Sequence, residues 1–343
     1  MMKSTTPTVS LIDVSTYLPQ NRVPAEWYTD QSDADTDMRD NPMFSPPEYR
    51  HHTAIDESNV DMMERAASGL ADRHGAEVLA DVDVLLTHSQ MPDLPIVGAG
   101  GEVASRLGMN PQVIIDVHNS GCASFIYMVN LARRLLQSGA GSTAMIACAA
   151  TAAGKIFEQE QVRKLAQASV PGDGAGVGLL TLSDTSPVLD VEARFYGQNA
   201  VDMTLETEPP RRWWEAGPGE GHVGFNEGKI MKVLSRGNRM VPEVVHAVCD
   251  RIGVKPGDLD LLVTNQPNRL LLRNWAEALE LPRERHRDTF QQCGNLFGVG
   301  IPVSLESAID DGQLKAGDIV MMAGFANAGD FAGAAAIQWG GRP

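Results

Sequence analysis

The chain has 343 residues, 43 % of them apolar, and a formal charge of −16 at pH 7. That supplies one large core or two joined ones. The acidity argues against a nucleic-acid partner, which needs a clustered positive surface, and no apolar run reaches the roughly 20 residues that span a bilayer. The start, Met1-Met2-Lys3-Ser4-Thr5, lacks the apolar stretch of a signal peptide, so a cytoplasmic location is expected. Cys122, Cys148, Cys249 and Cys293 are far apart and in no CxxC or Cys/His spacing, which argues against a disulfide framework or structural zinc.

Taken in chain order, the pattern alternates β and α. Val9 to Val14 reads as a strand. Residues 57–74 read as a helix, with Met62, Met63, Ala66, Ala67 and Leu70 at helical spacing. Asp81 to Thr87 is an apolar strand, 97–107 a helix closed by Gly108, and Val113 to Asp116 a strand. A helix is expected from Cys122 to Ser138, then a strand from Ala144 to Ala149. The second half repeats the plan: strand Val188 to Ala193, helix 237–252, strand Leu259 to Thr264, helix Asn268 to Leu279, helix Gly300 to Asp310, strand Ile319 to Ala323. The run Val82 to Thr87 is mirrored by Leu259 to Thr264, and Ala144 to Cys148 by Ile319 to Ala323. Two βαβαβ halves, residues 1–184 and 185–343, imply an internal duplication with sheets covered on both faces. Residues 195–235 lack clear periodicity and are expected to cap an entrance.

The chemistry concentrates at Asp116-Val117-His118-Asn119-Ser120-Gly121-Cys122-Ala123-Ser124-Phe125. A strand ends, a small-residue turn follows, and Cys122 opens a helix. That position favours the thiolate and turns a backbone N–H toward a developing oxyanion. The helix beyond it is apolar on nearly every side, which sets the thiol at the end of a tunnel. A lone buried cysteine is otherwise common in cores; the strand–turn–helix context points to a nucleophile.

This turn resembles the nucleophile turn of ketosynthase III enzymes of the thiolase superfamily. Tyr17-Leu18-Pro19, Gly172-Asp173-Gly174-Ala175-Gly176, Asn265-Gln266-Pro267-Asn268-Arg269 and Cys293-Gly294-Asn295 with Ile301-Pro302 resemble further family segments, in order along nearly the whole chain. The resemblance implies a duplicated five-layer αβαβα thiolase fold. It also implies a Cys-His-Asn trio in which the cysteine takes an acyl group from a coenzyme A or acyl carrier protein thioester. Cys122 matches the nucleophile and Asn295 the asparagine, but Asn265 stands where the family has histidine. Asn265 donates a hydrogen bond yet takes no proton near neutral pH. His88, His118 and His222 are the alternatives for a base, with His222 in the capping segment the most interesting of them.

The family's glycine run is replaced by Phe325-Ala326-Asn327-Ala328-Gly329-Asp330-Phe331. The oxyanion donors expected are the N–H groups of Cys122 and of Asn327 or Ala328. Trp27, Trp213 and Trp214 are candidates to stack a coenzyme A adenine, with Arg211 or Arg212 on its phosphate. No resident cofactor or metal is expected. The altered trio predicts acyl transfer from Cys122 to an amine, hydroxyl or thiol in specialised-metabolite biosynthesis. Carbon–carbon bond formation and a non-catalytic subunit of a heteromeric synthase are the alternatives. The resemblance implies a homodimer formed through the strand near Ala144 to Ala149.

Overall fold

The computed structural model describes residues 6–31, 41–93, 96–208, 210–212, 215–217, 219–225 and 230–342. Its strands are β1 (Val9–Tyr17), β2 (Asn21–Pro24), β3 (Tyr49–His52), β4 (Val84–Ser89), β5 (Val113–Asp116), β6 (Thr143–Ala150), β7 (Gly174–Leu182), β8 (Val188–Phe195), β9 (Met203–Glu208), β10 (Glu220–Phe225), β11 (Leu261–Thr264), β12 (His286–Arg287), β13 (Ile319–Ala326) and β14 (Phe331–Gln338). The longer helices are α1 (Asn59–His74), α2 (Gly100–Arg106), α3 (Ser124–Gln137), α4 (Ile230–Ile252), α5 (Arg269–Ala278) and α6 (Gly300–Asp310).

One five-stranded sheet has the order β1-β7-β6-β4-β5 and the other, read from the matching end, β8-β14-β13-β11-β12. Each strand thus has a counterpart at the same place in the other half. The mirrored runs seen in the sequence are β4 with β11 and β6 with β13.

Period-two alternation explains the layers. Ala144, Ile146, Cys148 and Ala150 of β6 face the core between the two sheets, while Met145, Ala147 and Ala149 face α1 and α2. Likewise Val320 and Met322 of β13 face the middle core, and Met321 and Ala323 face α4 and α5. Both faces are apolar, so these strands read as unbroken apolar runs. Helices α3 and α6 fill the middle layer, giving the five-layer αβαβα arrangement of the thiolase fold.

Three differences from the sequence reading bear on the site. The helix after Cys122 begins at Ser124, because Gly121–Ala123 is a separate turn. Helix α4 starts at Ile230, earlier than the 237 expected, and carries Pro242 inside it. The capping segment contains the antiparallel β9–β10 hairpin. It is tied to the first half where Gln159 Nε2 donates to the Gly221 carbonyl at 2.8 Å and Gln161 N–H donates to Glu220 at 2.8 Å.

The expectation of a dimer through Ala144 to Ala149 is corrected. Strand β6 pairs with β4 on one side and β7 on the other, so its backbone has no free edge. The free edge of that sheet is β5, which pairs only with β4 among the described strands.

Candidate active site

Cys122 lies in the one-turn segment Gly121–Ala123 between β5 and α3. Two left-handed residues make the turn, Ser120 at φ 69° and Gly121 at φ 34°. Serine in that region costs about 1–2 kcal/mol, which the surrounding packing sustains. Glycine is required at 121, where a Cβ would stand 2.5 Å from Oδ1 of Asn327. The strained turn sets the thiol at the N-terminal end of a buried helix.

Cys122 is 9 % exposed, and the backbone N–H groups of Asn327 and of Cys122 itself favour its charged form. Burial pushes Cys122 up to about 11; the Asn327 N–H opposes that rise and the Asp330 carboxylate adds to it. The helix N-terminus favours the thiolate as the sequence suggested, but desolvation is the larger effect.

Cys122 opens on a cavity of about 160 Å³. Its walls are mostly apolar: Met43 and Phe44, Met91, Ile156 and Phe157, Val170, Met203 of β9, Val233 and Leu234 of α4, Leu271 of α5, Phe297 and Phe325. The polar lining is carboxamide: Gln90, Gln167, Asn265, Asn268, Asn295 and Asn327. Among the described lining residues Cys122 is the one titratable group.

Three of these asparagines have their oxygens engaged. Asn265, just beyond β11, accepts from the Phe325 N–H at 3.3 Å and donates through Nδ2 to the Phe325 carbonyl at 3.0 Å. Asn268 caps α5, accepting from the Leu271 N–H at 2.9 Å. Asn295 accepts from the Phe297 N–H at 3.0 Å. Each oxygen meets a backbone donor, which fixes the amide's orientation and leaves N–H groups to offer a ligand. Around the thiol the described lining residues therefore offer donors and no base.

Cys122, Asn265, Asn295 and Asn327 all line this one cavity. Of the two amides expected as the second oxyanion donor, that of Asn327 is the one that favours the Cys122 thiolate. Ala328 is buried beside it, its carbonyl held by Arg236 at 3.0 Å.

The other candidates lie elsewhere. Trp27 packs edge-on to Tyr28 at 4.6 Å and His52 at 6.0 Å, against the apolar cluster behind the cavity wall and not in the lining itself. Arg211 bonds the carbonyls of Glu215 and Gly219 inside the capping segment, and Arg212 is exposed; neither lines the cavity. Trp213 and Trp214 fall outside the described residues, and His222 is described only as backbone of β10. His88 is buried with Nδ1 on the Val117 carbonyl at 2.9 Å, and His118 is exposed. Neither lines the cavity, so neither supplies the missing base there. Asn268 lines the cavity as well, a role that its motif does not announce. Its position directly before an apolar run was a helix-cap signal.

A family profile described as 3-oxoacyl-[acyl-carrier-protein (ACP)] synthase III matches residues 115–197, and the profile of that family's C-terminal part matches 249–339. Together they cover just over half of the chain. The beta-ketoacyl-[acyl-carrier-protein] synthase III of Thermosynechococcus vestitus is 28 % identical over 299 residues, 84 % of this chain and 86 % of that protein. Among solved structures, the synthase III from Thermus thermophilus superposes with a TM-score of 0.83 at 23 % identity, covering 97 % of this chain and 99 % of that one. The priming β-ketosynthase of the R1128 polyketide pathway superposes at 0.83 with 17 % identity, covering 100 % and 99 %. The chain belongs to the ketosynthase III family of the thiolase superfamily, a family of acyl-transferring enzymes.

Proposed function

We propose that this chain is a ketosynthase III-type acyltransferase. It takes an acyl group onto Cys122 from an acyl-ACP or acyl-CoA thioester and passes it to an already reactive acceptor, an amine or thiol before a hydroxyl. The observation that carries this reading is the cavity: an apolar tunnel with Cys122 as its one titratable described lining residue, backed by two N–H donors.

Proton balance supports it. In loading, Cys122 gives its proton to water and attacks the thioester carbonyl as the thiolate, the oxyanion rests on the N–H groups of Cys122 and Asn327, and the carrier leaves as a thiolate that takes a proton back from water. No net base is needed. In transfer, a neutral amine attacks the acyl-cysteine and its proton passes to the departing sulfur. A thiol pushed up to about 11 is well matched to receive it. A hydroxyl holds its proton far more tightly and would call for the base that Asn265 does not provide.

A second reading, decarboxylative carbon–carbon bond formation, is favoured by one feature: the donors of Asn265 and Asn295 suit an enolate oxygen. With the acyl-enzyme preformed, challenge by a panel of amines and by a malonyl thioester separates the two. Amide product without carbon dioxide is the expected result; carbon dioxide with a β-keto product establishes the second reading.

We further propose specialised metabolism as the setting, because the trio and the oxyanion loop are altered together. A cytoplasmic homodimer is the expected form. Among the described residues no helix is long and apolar enough to cross a membrane.

A further inference from the structure

The loop after β13 is held from outside at most of its carbonyls. Gly329 N–H donates to Ala326 at 2.8 Å, Asn199 Nδ2 donates to the Gly329 carbonyl at 2.7 Å, and Tyr196 N–H donates to the Asp330 carbonyl at 2.7 Å. Asn327 is the strained member, at φ 49°. Asparagine tolerates that conformation better than other side chains but has no glycine freedom. Its own side chain is gripped at both ends. Oδ1 lies against Gly121 of the nucleophile turn, and Nδ2 donates to both carboxylate oxygens of Asp330, at 3.2 and 3.1 Å. Burial pushes the Asp330 carboxyl up, and the Asn327 side chain opposes that rise.

We propose that Asp330 is a positioning residue for the oxyanion site. By holding the Asn327 side chain it keeps the Asn327 peptide left-handed, so that the backbone N–H points at the Cys122 sulfur. Glycine would reach this conformation unaided; here an Asn–Asp clamp takes the place of glycine. The role rests on the acyl-transfer reading, because an oxyanion donor matters only when a carbonyl is attacked.

The test compares two reactions of the same thiol: acylation by an acyl thioester, which uses the oxyanion donors, and alkylation by iodoacetamide, which does not. Loss of one oxyanion donor costs about 10²–10³-fold, so D330A should slow Cys122 acylation by at least about tenfold relative to alkylation, with KM little changed; taking the ratio cancels the change in thiolate fraction that removing the Asp330 charge brings. D330N keeps an oxygen for Asn327 Nδ2 and should recover most of the rate. N327G, free to adopt the turn, should make a second D330A change nearly silent, so the double variant matches N327G alone. Equal losses in acylation and alkylation, or a D330A enzyme that acylates normally, would overturn the role. So would a D330N enzyme as slow as D330A that also loses a limb of its pH profile, since Asp330 would then act as a base. A wild type that alkylates at Cys122 but accepts no acyl group removes the acyl-transfer reading itself and this role with it.

Discussion

Asn265 is held in the cavity wall by contacts that are local. It exchanges two hydrogen bonds with the backbone of Phe325, and Gly324 beside it leaves so little room that a Cβ would meet Asn265 Oδ1 at 2.8 Å. Replacing it by histidine breaks that exchange in a buried setting, at a cost of about 1–3 kcal/mol, and gives the cavity a group that titrates. We expect Asn265→His to lower the melting temperature. Turnover should gain a pH limb near the ordinary imidazole value of about 6.5, lowered by whatever desolvation the ring suffers. The wild type, with no other titratable group described in the cavity wall, should show no such limb. A neutral limb in wild type, unaltered in the variant, would mean that a base outside the described lining acts on the reaction.

At the scale of elements, the cavity wall depends on a staple that the sequence displays only as a glycine-rich motif. Asp173, fully buried, accepts from the N–H groups of Thr53 at 2.9 Å, Ala153 at 2.8 Å and Gly154 at 2.7 Å. It thereby joins β3, the segment carrying Ala152, Ile156 and Phe157, and the start of β7. Asp173→Ala would leave three buried donors without acceptors, each worth about 1–3 kcal/mol. We expect a net loss of about 3–5 kcal/mol, read as a lower denaturant midpoint at unchanged m. A loss under about 1 kcal/mol would mean that the three donors find other acceptors.

The strands the sequence displayed best were β4, β6, β11 and β13, whose two apolar faces make unbroken runs. Strands β7 and β14 were not read. Their Gly and Ala residues carry little pattern, and they are small because neighbours press on them: a Cβ on Gly176 would stand 2.5 Å from Pro302, and one on Gly178 would stand 3.0 Å from Phe125. Cys122 was legible because strand, turn and helix announce it. Asn268 was legible as a helix cap but not as cavity lining, and Asp330 was not legible at all, because its partner is the side chain of a neighbour in a turn whose shape no residue pattern displays.

At the scale of the whole molecule, the duplication puts Cys122 of the first half and Asn265, Asn295 and Asn327 of the second around one cavity. Neither half holds the site alone. The exposed edge β5, with Ile114 and Ile115 at 41 and 37 % exposure, is where a second copy would extend the first sheet. Ile115→Glu should turn a dimer into a monomer in sedimentation analysis; a dimer that survives it would place the interface elsewhere. The central claim is tested most directly by intact mass after incubation with a panel of acyl-CoA and acyl-carrier-protein thioesters. Wild type is predicted to gain the mass of one acyl group and Cys122→Ala to gain none. No adduct on wild type with any donor, or an equal adduct on both proteins, would contradict acyl transfer through Cys122.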